Sequence, residues 1–300
     1  MKIQMGKREF DYPSEQFGEL RDCNDILDDG AALQQRLAED GYLLIRGLHE
    51  RQTVLDAGAV MFEELAQDGF IKPGTKATDG IINPEKAGGA FWGGRKSVSH
   101  HPKVLEVLEG KAAFDFFGRL FGEPALTFDY KWLRAVGQGG HTGAHYDVVY
   151  MGRGSQRLVT AWTPFMDVPI ESGPLALCVG SHSLPGFARV RETYGRMDVD
   201  RDHVQGWFSN DPVEIVERFG GKWHTTAFEA GDALVLTMFT MHGSLNNISG
   251  RFRISSDTRF QPASEPADER WMGEKPIAHY GWNKPGENLT MDEARSKWGV

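Results

Sequence analysis

Residues 233–244 read Ala-Leu-Val-Leu-Thr-Met-Phe-Thr-Met-His-Gly-Ser. The nearly unbroken apolar run over 233–240 has the pattern of a strand buried on both faces. It ends at His242, Gly243 and Ser244, which puts an imidazole at the rim of a core. Taken alone, a histidine there is more simply a hydrogen-bonded core residue. Working outward, further strand patterns lie at 126–135, 145–150, 157–166 and 174–179 on one side and at 251–260 on the other. The turns between them carry Gly, Asn or Ser. Several short strands without intervening helices predict an antiparallel sandwich or barrel. A charged insertion at about 186–230 interrupts the series.

The N-terminal side reads differently. Asp28 or Asp29 can cap a helix over 29–40 that Gly41 ends, and Tyr42–Arg46 follows as a short strand. Leu55, Ala59, Phe62 and Ala66 recur at helical spacing, which predicts a helix over 51–67; a third is expected at 103–121. Between them, residues 70–99 form a long loop rich in Gly, Pro, Lys and Asp, with Phe91-Trp92-Gly-Gly-Arg95-Lys96 inside it. Loops of that length tend to be functional or disordered, and this one reads as a covering loop. The expected organisation is one domain over 1–300: a helical flank to 122, a β core over 123–262, and a polar tail over 263–300 with a short helix at 290–297.

Composition narrows the function classes. With 36 Gly and 11% aromatic residues in 300, the chain suits tight turns and a β-rich core. A net charge of −9 disfavours a phosphate-tracking surface, so no nucleic-acid partner is expected. No stretch of about 18 apolar residues predicts a membrane span, and Met1–Phe10 lacks the apolar segment of a secretory signal. Cys23 and Cys178 match no metal or redox spacing. These features predict a cytoplasmic protein.

Three short patterns carry candidate chemistry. In a strand, His145 and Asp147 of His145-Tyr146-Asp147 would face one point. With one more histidine they would form the two-His, one-carboxylate facial triad of non-heme Fe(II) oxygenases, which leaves positions open for oxygen and substrate. His-x-Asp alone decides nothing, because composition gives about 0.7 chance occurrences. The second pattern is His242-Gly-Ser244. The third is Arg251-Phe-Arg-Ile-Ser255, where strand alternation sends Arg251, Arg253 and Ser255 to one face. An inward arginine is costly unless it meets a carboxylate, and charge-assisted bonds of about 1.5–3 kcal/mol each offset that cost. Two solvated arginines on an edge strand are the plainer alternative.

The order of these pieces resembles the phytanoyl-CoA dioxygenase family of Fe(II)/2-oxoglutarate oxygenases. Asp40-Gly-Tyr-Leu-Leu-Ile-Arg-Gly47, Arg134 through His145, Glu171-Ser-Gly-Pro-Leu175, Gly180-Ser-His182, and His242 through Arg253 carry the resemblance over most of the chain. It implies a mainly β (α+β) fold, a double-stranded β-helix or cupin-like jelly roll with flanking N-terminal helices. It implies Fe(II) on His145, Asp147 and His242, with these three as the catalytic set. It implies 2-oxoglutarate on Arg253 and Ser244, with Thr142 and, loosely, Arg134 nearby, and O₂ as the third partner of the iron. The expected reaction hydroxylates an aliphatic C–H of a small organic substrate and releases succinate and CO₂. Because Asp147 is present, hydroxylation, desaturation or cyclisation is implied, not halogenation. Tyr146 replaces the family's common Gln and Val179 its Pro; His182 is in the motif but is expected to be structural. The alternative is a non-catalytic or 2-oxoglutarate-independent metal-binding cupin, such as an isomerase or hydrolase.

Other patterns fail locally. Gly137, Gly139, Gly140 and Gly143 preclude the helix that a His141/His145 zinc pair needs. Gly152-Arg-Gly154 lacks the rest of a dinucleotide fingerprint, and no Gly-x-Ser-x-Gly elbow is present. Trp92, Tyr150 and Trp162 are candidate substrate-pocket residues, although core packing is the plainer reading for Trp162. Arg95, Lys96 and Arg153 are candidates for steering an anionic substrate.

Overall fold

The structure, a computed structural model, describes residues 1–86, 88–281 and 288–300. Residue 87 of the expected covering loop and residues 282–287 of the expected tail lie outside the described residues. Two sheets face each other as a jelly roll. The larger runs Tyr42–Ile45, Ala233–Thr237, Val159–Pro164, Arg253–Pro262, Trp132–Val136 and Ala90–Phe91, with Ala125–Thr127 paired to the far end of Arg253–Pro262. The smaller runs His242–Ser244, Leu175–Val179, Lys222–Thr225 and Phe17–Glu19. All these pairings are antiparallel except the one between Lys222–Thr225 and Phe17–Glu19.

Strand alternation builds two cores from one sheet. In Tyr42–Ile45, Leu43 and Ile45 point outward, where they meet Leu33, Phe116, Phe117 and Leu120 of helices Gly30–Asp40 and Lys111–Phe121. Tyr42 and Leu44 point inward to Trp162, Leu177, Leu234 and Leu236 between the sheets. Phe117 stacks on Phe260 with centroids 3.8 Å apart, tying the helical layer to the longest strand. Helix Arg51–Gln67 covers the rest of that face with Val54, Met61 and Leu65.

The expected elements are recovered with instructive differences. Asp29 caps the first helix by accepting from Ala31 and Ala32, and Gly41 ends it at φ 80°. The expected helix 103–121 is two, Pro102–Leu108 and Lys111–Phe121, broken at Gly110. The N-terminal flank is not purely helical: the hairpin Lys2–Met5/Arg8–Asp11 and the strand Phe17–Glu19 precede its helices. The insertion also gives Lys222–Thr225 to the smaller sheet, where Trp223 pairs with Cys178. Residues 145–150 are not a strand. His145 makes one isolated bridge, and the chain turns at Asp147 into the single helical turn Val148–Met151. Both cysteines are free and buried, and burial pushes their thiols up to about 12. Among the described residues, no helix is long and apolar enough to cross a membrane.

Candidate active site

His145 and His242 lie directly opposite each other across an antiparallel bridge. Each backbone N–H donates to the other's carbonyl, at 2.8 and 3.0 Å. Directly opposed side chains share a face, and the imidazole centroids are 4.2 Å apart. The turn after His145 swings Asp147 to the same point, so its Oδ1 lies 3.6 Å from His145 Nε2 and 3.9 Å from His242 Nε2. The three donors lie within 4.8 Å of one another and all are buried. The expected convergence therefore occurs, through an αR turn at Asp147 and not through strand alternation.

Each donor is prepared by its neighbours. His145 Nδ1 is 2.9 Å from Gly143 O, and His242 Nδ1 is 2.9 Å from Thr240 O. Only a protonated Nδ1 can donate to a carbonyl, which leaves both Nε2 lone pairs for a cation. Burial, reinforced by His145, pushes His242 down to about 4, so it is neutral at physiological pH. For Asp147 burial works upward, but Arg259 and then the imidazoles outweigh it and hold the carboxyl well below its ordinary value. Thr160 Oγ1 donates to Asp147 Oδ2, and an Arg259 terminal nitrogen donates to Oδ1 at 3.3 Å. Two imidazole Nε2 atoms and one carboxylate, converging beside an outer cavity, suit a divalent iron.

Deeper in the same chamber lies Arg253, 2% exposed. One terminal nitrogen donates to Ser255 Oγ at 3.0 Å, the guanidinium lies 5.8 Å from the Trp162 ring, and Nε has no hydrogen-bond partner among the described residues. Burial pushes this guanidinium down to about 10. Among the described residues its one hydrogen-bond partner is a neutral hydroxyl, and Asp257, the carboxylate that attracts it, is bonded to Arg134, so the buried cation suits a carboxylate ligand arriving from outside. The donors and this orphaned cation therefore fit both iron and a dicarboxylate cosubstrate.

Residues 37–255 match the phytanoyl-CoA dioxygenase (PhyH) family along that whole span. The chain belongs to the phytanoyl-CoA dioxygenase family. A relative described as 1-deoxypentalenic acid 11-beta-hydroxylase, from Streptomyces arenae, is 27% identical over 261 residues, covering 83% of this chain and 87% of that protein. The fold is shared with solved structures. One is the epimerase SnoN, described in complex with Fe3+, alpha ketoglutarate and nogalamycin RO, at TM-score 0.55 and 19% identity, covering 87% of this chain and 99% of that one. Another is EctD from S. alaskensis with 2-oxoglutarate and 5-hydroxyectoine, at TM-score 0.55 and 16% identity, covering 96% and 98%.

Within this family member, the remaining expected residues divide. Thr142 and Arg134 line both the metal chamber and the adjoining outer cavity. Ser244 is displaced from its expected place: its Oγ accepts from Thr142 N–H at 2.9 Å, and the hydroxyl against Arg253 is that of Ser255. Tyr150 lines the outer cavity and meets His145 edge-on at 5.7 Å. Trp162 lies on the Arg253 side, facing the chamber from the inter-sheet core. Trp92 is not a pocket residue. It is buried against the helical layer, and its neighbour Phe91, 52% exposed, lines the cavity instead. Arg95 is bound to Glu64 and Asp68, Lys96 to Glu274 O, and Arg153 to Asp198, so none of the three faces the cavity. Tyr146 points away from the donors to Ser181 O, and His182 bonds Ala38 O in a structural role.

Sequence reasoning passed over Arg259, Asp257, Tyr130, Trp132, Met151, Trp207 and His279. The first two were legible by period two from Arg253: Arg253, Ser255, Asp257, Arg259 and Gln261 form one inward row on Arg253–Pro262. Of the others, Trp132 stands two residues before Arg134 on strand Trp132–Val136 and Met151 ends the helical turn after Asp147, while Tyr130, Trp207 and His279 come from loops and the tail, where no periodicity marks them.

Proposed function

We propose that the protein is an Fe(II)- and 2-oxoglutarate-dependent hydroxylase of an aliphatic C–H in a small organic molecule. His145, Asp147 and His242 would hold the iron, and Arg253 with Ser255 would take the distal carboxylate of 2-oxoglutarate. When bound, iron and 2-oxoglutarate together supply oxidising power from O₂, releasing succinate and CO₂. The protein's own part is positional. Gly143 O and Thr240 O fix the imidazole tautomers, and Thr160 and Arg259 fix the carboxylate. Phe91, Tyr130, Trp132, Tyr150, Met151 and Trp207 wall an outer cavity of about 440 Å³ that meets the donors at His145 and Asp147. An aromatic wall excludes water and presents a C–H bond to the metal side. The hydroxylase named among the relatives supports hydroxylation over other outcomes of the same chemistry.

The observation that carries this reading is Arg253, buried in one chamber with the three donors, its Nε without a hydrogen-bond partner among the described residues. Anaerobic addition of Fe(II) and then 2-oxoglutarate should give a weak visible charge-transfer band that needs both. Iron binding without a band would move the 2-oxoglutarate-independent cupin ahead. No iron binding would remove the reading altogether.

A further inference from the structure

The charges around the chamber and outer cavity do not balance. Arg134, Arg253 and Arg259 face Asp147 and Asp257, so three cations meet two anions. Both imidazoles are neutral when they act as metal ligands. On the reading above, Fe(II) and doubly ionised 2-oxoglutarate cancel each other, and one positive charge remains for whatever fills the cavity.

The structure also says which cation is available. Arg253 lies deepest, beside Trp162, and does not line the outer cavity. Arg259 is 3% exposed, stacks 4.5 Å over Trp132, and is engaged by Asp147 and Asp257 O. Arg134 is different. Only its Nε is committed, to Asp257 Oδ2 at 2.7 Å. Its two terminal nitrogens carry no hydrogen bond to any described residue, and 38% of its side chain is exposed, where it lines the cavity. It sits 5.4 Å from the ring of Phe91, the exposed aromatic at the rim. A guanidinium oriented through Nε presents its terminal nitrogens as a fork to a planar carboxylate. The rest of the wall is mainly aromatic and apolar.

We propose that the substrate is an apolar molecule bearing a single carboxylate, and that Arg134 holds that carboxylate at the cavity mouth. This rests on the Fe(II)/2-oxoglutarate reading and adds the substrate class to it. It also reassigns Arg134 from the cosubstrate, where the resemblance placed it, to the substrate. Asp257 is the positioning residue that aims the fork.

A matched pair of rigid cages tests this: adamantane-1-carboxylate and its neutral carboxamide, titrated calorimetrically into protein loaded with Fe(II) and 2-oxoglutarate without oxygen. The carboxylate should bind about ten- to a hundredfold tighter than the amide. Arg134→Gln should abolish that preference and Arg134→Lys should keep part of it, while the affinity for 2-oxoglutarate stays within about twofold in both. Equal binding of the two cages to the wild type, or binding of neither while the visible band forms, overturns the inference and leaves the hydroxylase reading standing. A tenfold loss of 2-oxoglutarate affinity in Arg134→Gln with the cage preference intact also overturns it, by returning Arg134 to the cosubstrate. Because the wild-type comparison needs no variant, a variant that fails to fold does not shield the proposal. Failure of the band to form at all sinks the hydroxylase reading and this inference together.

Discussion

Arg253→Met separates the ligand-binding role of this arginine from any structural one. In the folded protein without ligand, burial lowers the guanidinium from its ordinary value to about 10. Each tenfold loss of proton affinity is equivalent to about 1.4 kcal/mol, so the charged side chain costs the apo-protein about 3 kcal/mol. The folded pKa is depressed, so this cost is present in full at every pH below about 10 and is unrelieved at pH 7. That cost is what remains after the attraction of Asp257 has offset part of the burial and the repulsion from Arg134; among the described residues its one hydrogen bond goes to Ser255. Methionine fills comparable space without charge, and replacing a buried ion by an apolar side chain is often neutral or stabilising. The apo-variant should therefore melt at or above the wild-type temperature. Binding should move the other way. Losing a charge-assisted partner weakens 2-oxoglutarate by about 1.5–3 kcal/mol, or about ten- to a hundredfold in Kd. Saturating 2-oxoglutarate at about 100 times its Kd stabilises the wild type by about 2.7 kcal/mol, and the same concentration should leave the variant nearly unshifted. The assay is calorimetric unfolding of the metal-loaded protein with and without 2-oxoglutarate, supported by direct titration. An apo-variant that is several kcal/mol less stable would show that Arg253 is a structural partner. An unchanged Kd would remove it from the cosubstrate.

Other perturbations read other parts of the site and fold. Thr160→Val removes the hydroxyl on Asp147 Oδ2 and should weaken Fe(II) binding about ten- to a hundredfold in a competitive chelator titration, with the fold intact by circular dichroism. Asp147→Asn should abolish both substrate oxidation and the 2-oxoglutarate-dependent band; wild-type turnover would remove Asp147 from the metal shell. Buried Lys131 pairs with Glu109 at 2.6 Å, so Glu109→Ala strands a buried charge and should cost about 3–5 kcal/mol in urea unfolding, most of it recovered in Glu109→Ala/Lys131→Met. Burial pushes His49 from 6.5 down to about 4, so the unfolded chain binds the extra proton between those values and stability falls as pH drops through that window. His49→Gln should flatten that part of the pH–stability curve, and an unchanged slope would refute the assignment.

How much was legible follows from what kind of signal each residue carries. His145, Asp147, His242 and Arg253 stand at fixed spacings along the chain, and the structure brings them to one chamber even though the route to Asp147 was misread. Here the chain reaches that point with Asp147 itself in the αR region at the start of the turn Val148–Met151, not by strand alternation. Ser244 shows the opposite case. It has the expected place in the sequence, but it lies on the smaller sheet, and its hydroxyl is taken by Thr142 N–H. Ser255 shares a strand face with Arg253 and therefore meets it. Period two along one strand was the stronger rule, and extending it two and three steps further reaches Asp257 and Arg259.

The substrate wall was less legible, for a physical reason. Its side chains come from the rim strand at Phe91, the 130–134 segment, the helical turn after Asp147, the insertion at Trp207 and the tail at His279. No local periodicity links five separate segments; only the closed fold does. Trp92 against Phe91 makes the point within one dipeptide. The pair at Ala90–Phe91 adds to the edge of the larger sheet opposite Arg134 and Ala135, and Trp92 N–H still reaches Leu133 O. Consecutive side chains then face opposite ways, so one aromatic packs against Val54 and Leu65 while the other stands at the mouth. The sequence reading put forward Trp92 and not Phe91, and one residue of register decided between them. The charged residues sort by the same logic. Arg95 and Lys96 looked available because the loop around them is polar, yet both are taken up by local partners. Arg134 was expected, loosely, beside 2-oxoglutarate, yet it also lines the outer cavity, whose wall is short of negative charge. What distinguishes an anion site from a solvated arginine is therefore the imbalance it is left with after folding.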